Sequence, residues 1–110
     1  MGYRSEVALA IRAGVETPPE VQAALDALFE EPKRTAPGAL YHNAWCQWYT
    51  HDMTNYPEPT TIYRWLEDLE MEDYLLMRLG EDDGDMDEDG DWHEFDLGYA
   101  RHLTCGGKPL

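Results

Sequence analysis

Basic residues are scarce in this chain. Eight Lys and Arg stand against 23 Asp and Glu, a formal net charge of −15 over 110 residues. Such a chain repels the phosphate backbone, which argues against a cationic nucleic-acid-binding function. Attachment to an anionic membrane surface is disfavoured for the same reason. Long apolar runs are also lacking: no stretch approaches the ~20 residues of a membrane span. The opening Met1-Gly2-Tyr3-Arg4-Ser5-Glu6 has no apolar core of a secretory signal. Gly2 is not followed by the Ser or Thr that a myristoylation signal needs. Cysteine is limited to Cys46 and Cys105. Two thiols make no disulfide framework, and the expectation is two buried thiols in a reducing cytoplasm. There is no Gly-rich phosphate loop, and Gly106-Gly107-Lys108 precedes no helix.

Enough apolar material remains for a core. Hydrophobic residues make up 43% and aromatics 12%, close to an ordinary globular domain. The length suits one domain over residues 1–110. A strand is expected over 3–11, with Val7, Leu9 and Ile11 on a large face and Ala8 and Ala10 on a small one. Thr17-Pro18-Pro19-Glu20 reads as a helix start with Thr17 as cap. Val21, Ala24, Leu25, Leu28 and Phe29 then follow helical spacing. A loop over 32–38 leads to an aromatic strand over 39–50. A second helix is expected over 60–69, capped by Thr60 or Thr61, with Ile62, Trp65, Leu66 and Leu69 on one face. Strands over 73–79 and 95–103 complete the order β-α-β-α-β-β. The class is α+β: a mixed sheet with right-handed parallel crossovers, two helices on one face and a long acidic hairpin loop over 81–94. A frayed tail is expected over 105–110.

The charge is not spread evenly. Residues 67–96 hold 15 acids and a single base, Arg78, while residues 1–66 are nearly neutral. Charge concentrated in this way raises the local potential far more than the same charge dispersed.

Several short motifs resemble a group of small proteins encoded by tailed bacteriophages. They are the opening Met1-Gly2-Tyr3-Arg4-Ser5-Glu6-Val7-Ala8, the pair Trp48-Tyr49, the stretch Arg78-Leu79-Gly80-Glu81-Asp82-Asp83 and the closing Tyr99-Ala100-Arg101. The resemblance implies a phage accessory protein acting in the host cytoplasm. It supplies no activity and no site residues. The acidic run here is longer than in that pattern.

The acidic run admits three readings. The first is a DNA-mimic surface offered to a basic host protein, such as a defence or nucleic-acid-binding complex, with steering by charge. Its residues are Glu81, Asp82, Asp83, Asp85, Asp87, Glu88, Asp89, Asp91, Trp92 and Glu94, and Glu67, Asp68, Glu70, Glu72 and Asp73 extend it. The second is calcium binding. Residues 85–96 follow the Asp-x-Asp-x-Asp-Gly pattern, with Asp85, Asp87, Asp89, Asp91 and Asp96 as ligands and Gly90 at the turn. No cofactor is expected under the first reading. The third is a solvated loop that keeps a structural phage protein soluble.

Other chemistry has weaker support. No catalytic residue is assigned, and the chain is expected not to be an enzyme. A Cys46–His51–Asp52 set lacks any local nucleophile signal. His42 and His102 can fall on neighbouring strands. Trp45, Trp48 and Trp65 are expected in the core between sheet and second helix. Trp92 is either an interface anchor or packed back on the hairpin. Tyr99 and Arg101 are expected to hold the acidic loop through its carboxylates.

Overall fold

The structure is a computed structural model, and it describes residues 4–48, 57–82 and 84–110. In chain order the elements are β1 (Ser5–Arg12), α1 (Pro19–Leu28), β2 (Gly38–Cys46), α2 (Pro57–Glu67), a 3-10 turn (Met71–Asp73), β3 (Tyr74–Gly80), β4 (Met86–Gly90), β5 (Leu97–Tyr99), β6 (Leu103–Cys105) and β7 (Lys108–Pro109). The α+β class and the order β-α-β-α-β-β hold through β4. One sheet has the order β2-β1-β3-β4, and a smaller one the order β5-β6-β7.

The central strand β1 shows why both sheet faces are covered. Its residues alternate sides. Val7, Leu9 and Ile11 pack with Val21, Leu25 and Phe29 of the first helical segment and with Ile62, Trp65 and Leu66 of α2. Ala8 and Ala10 face the other way, where their small size leaves room for Trp92, Phe95 and Leu103. The result is three layers: helices, main sheet, and the C-terminal segment with its small sheet. Both helices contribute the faces expected of them. Neither start is the expected one. The α1 N-cap is Pro18 and no side chain caps it, and α2 begins at Pro57, with Thr61 Oγ1 donating back to the Pro57 carbonyl at 2.9 Å.

The crossovers differ from expectation. β1 pairs antiparallel with both β2 and β3. The reason lies in residues 29–37. After α1 the chain climbs back along β2, where the Lys33 N–H donates to the Leu40 carbonyl and the Leu40 N–H to the Arg34 carbonyl. It therefore enters β2 at the end where it left β1, with Gly38 opposite Arg12. β2 and β3 run the same way, with β1 between them.

The C-terminal part is also more structured than expected. Residues 95–103 are not one strand, because the chain bends at 100–102, where the Ala100 N–H donates to the His102 carbonyl at 2.9 Å. The tail is not frayed. Gly106 and Gly107, with φ of +61° and +81°, form the tight turn between β6 and β7 that such residues favour. Leu110 packs on the second core. Trp48 and Trp65 are buried as expected, but Trp45 is 59% exposed. β2 is an edge strand and bulges near its end, which turns Trp45 away from the core.

Candidate acidic interface

The acidic hairpin loop is not a loop throughout. Residues 86–90 form β4, the outer strand of the main sheet, paired antiparallel with β3. Arg78 fixes this arrangement. Alternation along β3 puts Arg78 on the helix-side face with Tyr74 and Leu76, one step beyond the apolar core. It lies opposite Val7 of β1 and Asp87 of β4. It is 1% exposed. Its Nε donates to Asp87 Oδ2 at 2.8 Å. One terminal nitrogen donates to Asp85 Oδ1 at 2.6 Å and Asp87 Oδ2 at 2.5 Å. The other donates to Ser5 Oγ at 2.9 Å and Asp85 Oδ2 at 3.3 Å. Ser5 Oγ in turn donates to the Trp48 carbonyl at 2.9 Å. Burial works against the guanidinium charge, but the bonds and attraction from Asp85 and Asp87 outweigh it and raise its pKa.

The remaining carboxylates sort by face. Asp85, Asp87 and Asp89 alternate along one face, and Glu88 stands on the other. Tyr74 is pushed up to about 12, first by burial and then by Asp89. Tyr99 is likewise pushed up to about 12, by burial and then by Glu88 and Asp87. Tyr63 of α2 is raised by burial, then by Asp89, Glu67 and Asp87. The acidic field is thus felt by phenols on three different elements. The Tyr99 hydroxyl donates to the Asp87 carbonyl and ties β5 to β4.

The predicted site residues separate into groups. Glu81, Asp82, Glu88, Asp91 and Glu94 are exposed. The Glu81 carboxylate accepts the Arg4 N–H at 3.1 Å, and Asp91 lies 3.4 Å from His93. Asp85 and Asp87 are partly buried under the Arg78 clamp. Asp89 is partly buried and accepts the Gly90 N–H at 3.1 Å. Asp83 lies outside the described residues. Trp92 is not a surface anchor. It is 8% exposed, stacks edge-on against Phe95 with centroids 5.3 Å apart, and reaches Gly38, where a Cβ would come within 2.7 Å of its ring. Of the extending residues, Glu67, Asp68, Glu70 and Glu72 are exposed, whereas Asp73 pairs with Arg12.

The calcium reading needs residues 85–96 to wrap so that six to eight oxygens meet one ion. Instead Asp85, Asp87 and Asp89 lie along an extended run, about 6.6 Å apart per pair of residues. Two of them are committed to Arg78. Asp96 sits beyond the buried Trp92 and Phe95, in a left-handed turn with φ of +51°. Among the described residues no group of three or more His, Cys, Asp or Glu is placed to hold a metal ion.

Two functional groupings were not anticipated. Arg78, and not Arg101, holds the acidic strand; Arg101 is exposed and forms no ion pair among the described residues. Tyr99 does hold it, but through a backbone carbonyl. The signal for Arg78 is its position as the lone base in the acidic segment. The second grouping is buried Glu6. It accepts the Leu103 N–H at 2.8 Å and bonds His42 Nε2 at 2.7 Å, joining β1, β2 and β6. His42 therefore meets Glu6, while His102 lies in the bend after β5. Cys46 is buried and its thiol is pushed up to about 12 by burial, which makes it a poor nucleophile. His51 and Asp52 lie outside the described residues, as does Tyr49.

The chain matches no family model, no curated protein and no solved structure. Among the described residues no helix is long and apolar enough to cross a membrane.

Proposed function

We propose that the protein presents its acidic edge to a basic, nucleic-acid-binding host protein and occupies the groove that DNA would take. The observation that carries this reading is the charge density of β4. Between Asp85 and Asp91 five carboxylates occur in seven residues of near-extended chain. At about 3.3 Å per residue this is one carboxylate per ~4.6 Å, against ~3.4 Å along one DNA strand, and the Arg78 guanidinium held by Asp85 and Asp87 offsets one of the five charges. Glu67, Asp68, Glu70 and Glu72 extend the negative surface from the end of α2. The resemblance of short motifs to tailed-phage proteins suggests the setting, an inhibitor of a defence or DNA-processing complex in a bacterial cytoplasm.

A second reading rests on the place of β4 at the sheet edge. Charged residues there guard against strand pairing with another chain, and the acids then serve solubility alone. One experiment separates the two. Purified restriction nucleases and CRISPR effector complexes are loaded with labelled duplex and challenged with the protein at several salt concentrations. Mimicry predicts displacement that weakens steeply with salt and falls at least ~10-fold for the triple variant Glu88→Gln, Asp91→Asn, Glu94→Gln. Displacement at full strength by that variant, or displacement indifferent to salt, overturns mimicry. Aggregation of the variant without any displacement by the wild type supports the edge-guard reading.

A further inference from the structure

β4 is the one strand of the main sheet with no buried residue: all five of its positions are exposed or half-exposed. Its neighbour β3 buries Tyr74 through Arg78. Among the contacts that hold β4 are the ladder to β3, the Arg78 clamp on Asp85 and Asp87, the Tyr99 hydroxyl on the Asp87 carbonyl, and a Tyr74–Asp89 side-chain hydrogen bond. Elements without buried apolar contacts open locally at low cost. A buried guanidinium whose carboxylate partners lose their charge is left strongly disfavoured.

We propose that β4 is an ionically latched strand, opening as a unit when the clamp of Arg78 on Asp85 and Asp87 is lost while β1, β3 and the helical layer stay folded. The groups that face the clamp are Ser5 from β1, Asp85 and Asp87 from the β4 arm, and Tyr99 from β5. On the α2 side, Tyr63 and Glu67 lie within electrostatic reach through Asp87 and Asp89. Arg78 is the only Lys or Arg in residues 67–96, and His93 of that segment lies beside Asp91. Opening separates the acidic edge from the sheet and bares the edge of β3. The device is independent of what the acidic edge binds.

Amide exchange followed by NMR tests it, with each rate expressed as a protection factor relative to the unfolded chain. In the wild type at pH 7, the β3-paired amides of residues 86–90 are expected to be protected. On acidification to about pH 2, low enough to protonate carboxylates paired with a cation, their protection should fall at least ~10-fold more than that of residues 7–11. Arg78→Met at pH 7 should produce the same selective loss, with the buried methionine preserving apolar volume. If that variant fails to fold, the wild-type acid series decides alone. Equal loss of protection in β1 and β4, or retained protection of β4 at low pH, overturns the proposal.

Discussion

At position 90 the backbone takes a φ of +91°, and an added Cβ would lie 2.2 Å from the Tyr74 carbonyl oxygen. Both features favour glycine, the first because L side chains rarely adopt that conformation. The second arises because the Tyr74 carbonyl accepts the N–H groups of both Asp91 and Trp92, drawing the two backbones together where β4 ends. Gly90→Ala is therefore expected to cost more than an exposed strand substitution, about 2 kcal/mol or above. A urea titration checks this, and a midpoint equal to the wild type's would refute it. Gly90, the turn residue of the calcium pattern, thus has a task in the fold itself. It lets the chain turn against β3 and carry Trp92 into the second core.

Among the elements, some were legible and others were not, for physical reasons. β1 was legible because two residue sizes alternate along it, and each size meets the layer it suits. The helices were legible because their apolar residues recur at helical spacing. β4 was not, since Asp, Glu and Gly are depleted in strands and nothing in Met86–Gly90 packs inward. Its conformation comes from pairing with β3 and from Arg78. Strand direction was not legible either, because the return path over residues 29–37 has no periodicity to read. Of the candidate site, the acids were found from charge alone, while the partial burial of Asp85 and Asp87 emerged only with the buried Arg78. The phenols of Tyr74 and Tyr99 offer an element-scale test. Their values of about 12 lie above the ordinary 10. The unfolded chain gives up these protons first, so their contribution is intact below pH 10 and is lost as pH rises toward 12. Ultraviolet titration should show Tyr63, Tyr74 and Tyr99 ionising late among the seven tyrosines, with stability declining as Tyr74 and Tyr99 ionise. Uniform ionisation near 10 in the folded state contradicts it.

For the whole molecule, a net charge of −15 means that like charges repel in the folded state more than in the expanded one. The ion pairs that oppose this are few among the described residues, chiefly Arg78 with Asp85 and Asp87 and Arg12 with Asp73. Screening should therefore stabilise the protein. Raising sodium chloride from about 10 mM to 150 mM, where the Debye length falls to ~8 Å, is expected to raise Tm by several degrees. The variant Glu88→Gln, Asp91→Asn, Glu94→Gln should show a smaller rise, and calorimetry measures both. A fall in Tm with salt would mean that the buried clamp outweighs the repulsion. The separation of charge from core has a consequence for how this chain can change over time. Because β4 contributes no side chain to either core, substitutions at its exposed positions leave folding largely untouched. In a deep mutational scan, position 88 of β4 should tolerate almost any residue when selection is for abundance, and should demand an acid only when selection is for binding. The acidic edge can then be rewritten without renegotiating the scaffold beneath it.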